Sequence, residues 1–102
     1  MTLVEKQKVS LSDFRDFDVL NYLDTPDRMA DYLTACFEDE HPDLILIALN
    51  DIARAKGMAE VARKAGLGRE SLYKALSPGA QPRFETIRKI IAALDLKVKI
   101  TV

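Results

Sequence analysis

One stretch, Met58 to Ser77, limits what this chain can fold into more than any other: Met-Ala-Glu-Val-Ala-Arg-Lys-Ala-Gly-Leu-Gly-Arg-Glu-Ser-Leu-Tyr-Lys-Ala-Leu-Ser. Val61, Ala62 and Ala65 recur at helical spacing, and Leu72 and Leu76 stand four apart. Between these runs lies Gly66, and a residue without Cβ takes a positive φ there without strain. Ala62 is small where two such helices would approach most closely, and Leu67 is an apolar plug beneath the turn. The spacing predicts a short helix, a glycine turn and a second short helix. That is the pattern of a helix-turn-helix, whose second helix enters the DNA major groove. An αα-hairpin in a bundle of another kind satisfies the same spacing.

The formal net charge of -1 argues against a nucleic-acid partner only until it is divided along the chain. Residues 1–51 carry four Lys and Arg against twelve Asp and Glu, and residues 52–102 carry eleven against four. The basic half contains the stretch above, and such a half is an electrostatic footprint for phosphate. The acidic half suits a basic protein partner. Chance unevenness on solvated faces is the plainer alternative.

A chain of 102 residues supports one domain with a modest core. Its longest apolar run, Leu44 to Leu49, falls far short of the roughly 20 residues that span a bilayer. The N-terminal Met-Thr-Leu-Val-Glu-Lys-Gln-Lys has no apolar signal core. Cys36 is the single cysteine, which excludes an internal disulfide and fits a reducing cytoplasm. A cytoplasmic chain without membrane contact is therefore expected. One histidine, His41, and one cysteine make neither a thiolate–imidazole relay nor a zinc constellation. No glycine-rich phosphate loop occurs. The expectation is a chain that is not an enzyme and carries no metal or cofactor.

Taken in order, residues 1–17 lack periodicity and read as an N-terminal arm, with Val9, Leu11, Phe14 and Phe17 available to pin it. The arm is either a lid on the domain's own core or a partner-binding segment. A single helical domain is expected over 18–102. Asp18 can cap a turn over Val-Leu-Asn-Tyr-Leu. Thr25-Pro26-Asp27 is a helix start, with Met29, Tyr32, Leu33, Cys36 and Phe37 on one face. Glu38, Asp39 and Glu40 follow where a helix dipole disfavours acids, so they are either solvated beyond the helix end or kept for binding. Pro42-Asp43 opens a helix running to Lys56 and closed by Gly57; its first half is apolar nearly all round, as in a central pillar. Residues 78–82 are a loop, and Phe84, Ile87, Ile90 or Ile91 and Leu94 mark a last helix. Residues 97–102 alternate, apolar at Val98, Ile100 and Val102, and predict a strand, which must pair with the arm or with a second subunit.

From about Phe17 to Ile100 the chain resembles the addiction-module antidote family, HigA-like antitoxins with a Cro-type helix-turn-helix. The resemblance is carried by Tyr22-Leu23, by Ala48 to Met58, by Val61 to Leu67, and above all by Arg69-Glu70-Ser71-Leu72-Tyr73-Lys74-Ala75-Leu76-Ser77. It implies an all-α fold: a lambda-repressor-like helix bundle with a helix-turn-helix and an N-terminal helical extension, to which the alternating tail adds a short C-terminal β-strand. It further implies an operator-binding antitoxin that represses its own operon and neutralises a small basic RelE/ParE-like toxin. A stand-alone phage-type repressor without a toxin is the alternative. Gly68 stands where relatives usually have a capping serine or threonine, Met58 where many have a polar phosphate contact, and Arg83 where a small hydroxyl residue is usual.

The second helix of the pair is expected to present its first turns to base edges of double-stranded operator DNA. Arg69 can donate two hydrogen bonds to guanine, and Glu70 can accept from cytosine. Tyr73 and Lys74 sit one turn on, and Ser71 suits a phosphate or a base. Glu70 and Lys74, four apart, can instead pair with each other. Arg63, Lys64, Arg83, Arg88 and Lys89 are candidates for phosphate. Glu38, Asp39 and Glu40 are candidates for the toxin, with the outer face of the C-terminal strand as the alternative. A short reading helix covers few base pairs, so a homodimer on an inverted repeat is expected, joined through the last helix and the strand.

Overall fold

A computed structural model describes residues 19–102, and within them the chain is all-helical. Six helices follow in order: α1 (Val19–Tyr22), α2 (Pro26–Phe37), α3 (Pro42–Lys56), α4 (Met58–Ala65), α5 (Arg69–Ala75) and α6 (Phe84–Ala93). The arm over 1–17 and the Asp18 cap lie outside the described residues.

The helix starts follow the local chemistry. Thr25 is extended at φ -133 and its hydroxyl oxygen accepts from the Arg28 N–H at 3.2 Å, with Pro26 at the first helical position of α2. Arg28 also holds Asp24 at 3.0 Å and lies over the Tyr22 ring. Pro42 opens α3, and Gly57, at φ 105, both closes α3 and precedes α4, so a single residue makes that corner. Asp43, in the first turn of α3, accepts from the Gly79 N–H at 2.9 Å and ties the loop after α5 to the pillar.

α3 is that pillar. Ala48, Leu49, Ile52 and Ala53 are fully buried, and α1, α2 and α4 all pack against the helix. α4 in turn carries α5 and α6. Met29, Tyr32, Leu33 and Cys36 of α2 are buried as their spacing predicts. Phe37 is not: it is 47% exposed. It ends the helix a quarter-turn beyond Cys36, and no further turn follows to cover it. Phe84 is likewise 78% exposed, because the apolar stripe of α6 meets the core only from Ile87 onward, with Ile90, Ile91 and Leu94 buried. Asp51, legible in the sequence only as one acid among many, is buried on α3 and accepts from the Tyr32 hydroxyl at 2.8 Å. A carboxyl inside a core requires such a partner.

Two helices end alike. Gly66, at φ 71, sends its N–H to the Arg63 carbonyl at 3.2 Å while the Leu67 N–H reaches the Ala62 carbonyl at 2.9 Å. This is a Schellman closure, and Leu67 packs on the core beneath it. After α6, Asp95 takes the left-handed position at φ 61, with its N–H on Ala92 and that of Leu96 on Ile91.

The expected strand over 97–102 is absent. The segment is exposed and has no strand partner among the described residues, with Ile100 at 92% exposure. Alternation makes a sequence fit for a sheet, but a strand exists only when a second one completes its hydrogen bonds.

Gly66→Ala and Gly68→Ser are expected to move stability in opposite directions. A Cβ at Gly66 meets nothing within 4 Å, so the cost is the left-handed φ alone, about 1–2 kcal/mol. Gly68 caps α5 at φ -71 with no side-chain acceptor, so serine there should add a few tenths of a kcal/mol. Urea unfolding of the two variants checks both signs.

Candidate nucleic-acid interface

A seven-residue helix is too short to hold itself in water, and α5 is held by its apolar line. Leu72 is 0% exposed and Leu76 2%. With that line pinned inward, Arg69, Glu70, Ser71, Tyr73 and Lys74 all stand exposed on the rest of the helix. Arg69 and Tyr73 are four apart and form one ridge, and Glu70 and Lys74 form the next. The alternative pairing of Glu70 with Lys74 is not made: among the described residues none of Arg69, Glu70 and Lys74 takes part in an ion pair. The Ser77 hydroxyl donates to the Tyr73 carbonyl at 2.8 Å and closes the far end.

The remaining basic candidates divide. Arg63 forms an ion pair with Glu60 one turn earlier on α4, its Nε donating to Oε1 at 3.1 Å, and the guanidinium holds the Glu60 carboxyl below its usual range. Lys64 donates to both oxygens of Asp95, at 2.9 and 3.0 Å, and Lys56 approaches the same carboxylate at 3.7 Å. The Lys64 hydrogen bond and charge, with a smaller contribution from Lys56, hold Asp95 below the ordinary carboxylate range. Arg83, at the N-cap of α6 without a side-chain cap bond, and Arg88 and Lys89 on α6 are exposed and make no ion pair among the described residues. So Arg63 and Lys64 must give up an acid to meet a phosphate, while Arg83, Arg88 and Lys89 need not.

Gln81 and Thr86 carry no functional signal in the sequence. The structure sets them, with Ala80 and Pro82, against Leu67, Ser71, Lys74 and Ala75, and the eight residues line one open groove of about 350 Å³. No local pattern signals this, since the loop folds back on α5 only through the core and the Asp43–Gly79 tether.

Glu38, Asp39 and Glu40 lie together in the turn from α2 to α3, all exposed, beside the exposed ring of Phe37. Asp39 accepts from the His41 N–H at 2.9 Å and touches His41 Nδ1 at 2.8 Å, and these bonds hold its carboxyl below the usual range. Burial, with Asp39 and Asp51 adding to it, pushes the Cys36 thiol up to about 11, so it stays protonated and enclosed. Among the described residues no group of three or more His, Cys, Asp or Glu is placed to hold a metal ion, and no helix is long and apolar enough to cross a membrane.

A family model described as "Probable addiction module antidote protein" matches residues 13–102. An uncharacterised protein of Haemophilus influenzae is 43% identical over 86 residues, covering 84% of this chain and 89% of that protein. No solved structure matches.

The Lys64–Asp95 pair gives a pH signature. A carboxyl whose folded pKa is depressed adds stability above its unfolded value, and that stability is lost as pH falls through the folded one. Asparagine tolerates the left-handed backbone of position 95. Asp95→Asn should therefore be less stable than wild type at neutral pH, and the gap should close as pH falls below about 4. Paired urea titrations across pH measure the gap, and a gap independent of pH would remove the ion pair as its cause.

Proposed function

The chain belongs to the addiction module antidote family, which implies a toxin partner, and we propose that it is an operator-binding antitoxin that represses its own operon. One observation carries the DNA-binding part. Leu72 on this seven-residue helix and Leu76 at its C-cap are sealed in the core while five polar or aromatic side chains project outward together, none of them committed to an internal ion pair among the described residues. A helix mounted this way on a preceding short helix and a Schellman turn suits entry into the major groove.

In this reading Arg69 donates its two-pronged guanidinium to guanine and Glu70 accepts from a cytosine amino group, with Tyr73 one turn on. Arg83, Arg88 and Lys89 meet phosphates, which position the protein without specifying sequence. Two copies of the chain, each reading a half-site on one face of the duplex, supply the length of recognition that one short helix lacks. The toxin is a small basic protein of RelE/ParE-like type, and the acid-rich turn of Glu38, Asp39 and Glu40 at the end of α2 is its docking site. Opposite charge there speeds encounter and selects the partner.

Arg69→Ala should weaken operator binding about 5- to 150-fold and relax preference at one base pair, with a smaller loss on random duplex. Lys89→Ala should weaken both duplexes alike and lower the slope of log affinity against log salt by about 0.9. Fluorescence anisotropy across a salt series reads both effects; unchanged binding of Arg69→Ala to both duplexes would sink the docking.

Changing Glu38, Asp39 and Glu40 together to lysine should abolish co-purification of the protein encoded beside this chain while leaving operator binding in place. Retention of that partner at full yield would move the toxin site elsewhere.

A further inference from the structure

The groove beside α5 sorts the exposed residues of that helix into two classes that the sequence does not separate. Ser71, Lys74 and Ala75, at i, i+3 and i+4, form its helix wall; Ala80, Gln81, Pro82 and Thr86 form the opposite wall. The lining side chains carry an ammonium, two hydroxyls and a carboxamide among small apolar groups, and no acid lines it. Arg69, Glu70 and Tyr73 are not part of it. The groove is open along one side, and at about 350 Å³ it lies at the small end of the range for ligand pockets, which enclose most of their ligand. Its donors suit an anion that passes through rather than one that is engulfed. Arg83, with no ion-pair partner among the described residues, adjoins the groove in sequence and adds positive charge at the start of α6.

We propose that this groove seats one segment of the DNA sugar–phosphate backbone, with Lys74, Ser71, Gln81 and Thr86 as the donors to its phosphate. The assignment rests on the DNA-binding reading and refines it. Ser71 and Lys74 position the protein, and the reading of bases falls to Arg69, Glu70 and Tyr73. Gln81 and Thr86 enter the interface although neither stands in the helix pair. Leu67, Ala75, Ala80 and Pro82 supply the apolar part of the lining between these donors.

The test uses Lys74→Ala, Gln81→Ala and Thr86→Val in the full chain, with circular dichroism to show that each remains folded. Each variant is titrated against operator duplex and a scrambled duplex. Each should lose about two- to tenfold in affinity, and by the same factor on both duplexes. Lys74→Ala should also lower the salt slope by about 0.9, while the two neutral changes leave it alone. Duplexes with single phosphates replaced by neutral methylphosphonate then locate the contact. At one phosphate, and no other, the effects of Gln81→Ala and Thr86→Val should vanish, as in a double-mutant cycle. Unchanged affinity in the two neutral variants, or losses that add at every phosphate, would overturn the assignment. So would a Lys74→Ala loss confined to the operator, which would return Lys74 to base reading. If Arg69→Ala behaves as expected while the groove variants are silent, only the groove assignment fails; if wild type binds neither duplex, the DNA-binding reading fails with it.

Discussion

The burial of Leu72 and Leu76 is the contact on which the candidate site depends. A helix of seven residues does not persist by its own hydrogen bonds, since isolated helices need on the order of 12–15 residues even in favourable sequences. α5 exists because two leucines four apart enter a core already built by α3 and α4. Once they are in, the rotation of the helix is settled, and with it the direction of every polar side chain it carries. The Schellman turn at Gly66 adds the second condition. It ends α4 at a defined residue and brings Leu67 under the corner, so that α5 starts from a fixed point.

Charge is arranged around that mounting by subtraction. The basic half of the chain holds eleven Lys and Arg, yet Lys56 and Lys64 share Asp95, and Arg63 is engaged by Glu60. These pairs are exposed and each adds little stability. Their larger effect is to occupy the bases at the end of α4, while Arg69 and Lys74 on α5 and Arg83, Arg88 and Lys89 at and on α6 stay outside ion pairs among the described residues. The proposed DNA-facing side is thus set apart as much by acids placed beside other bases as by its own lysines and arginines. The acids of the turn after α2 lie at the opposite extreme of the chain's charge, which is what a protein with two differently charged partners would need.

Much of the helical order was legible because its signals are local. Thr25-Pro26, Pro42, Gly57 and Gly66 each act on the backbone within one turn, and each starts or stops a helix where its chemistry says it should. The readings that failed depend on what lies across the molecule. Phe37 and Phe84 fit helical stripes but sit at helix ends that the core does not reach. The alternating segment 97–102 has the composition of a strand and no neighbour to complete one among the described residues. Asp51 stands in the sequence as one acid among many, and its burial becomes apparent only where Tyr32 of α2 reaches it across the core.

The sequence by itself determined the number and order of the helices from Val19 onward, the glycine corner and the identity of the residues on α5, because spacing, caps and φ preferences are properties of short segments. It also divided the chain into an acidic and a basic half. Tertiary structure alone decided which of those bases are free, which aromatic rings remain exposed, and that Gln81 and Thr86 stand opposite Ser71 and Lys74. Those outcomes join residues far apart in the chain, as Lys56, Lys64 and Asp95 show, and no local preference acts over that separation. Only a packed core brings such residues to one place.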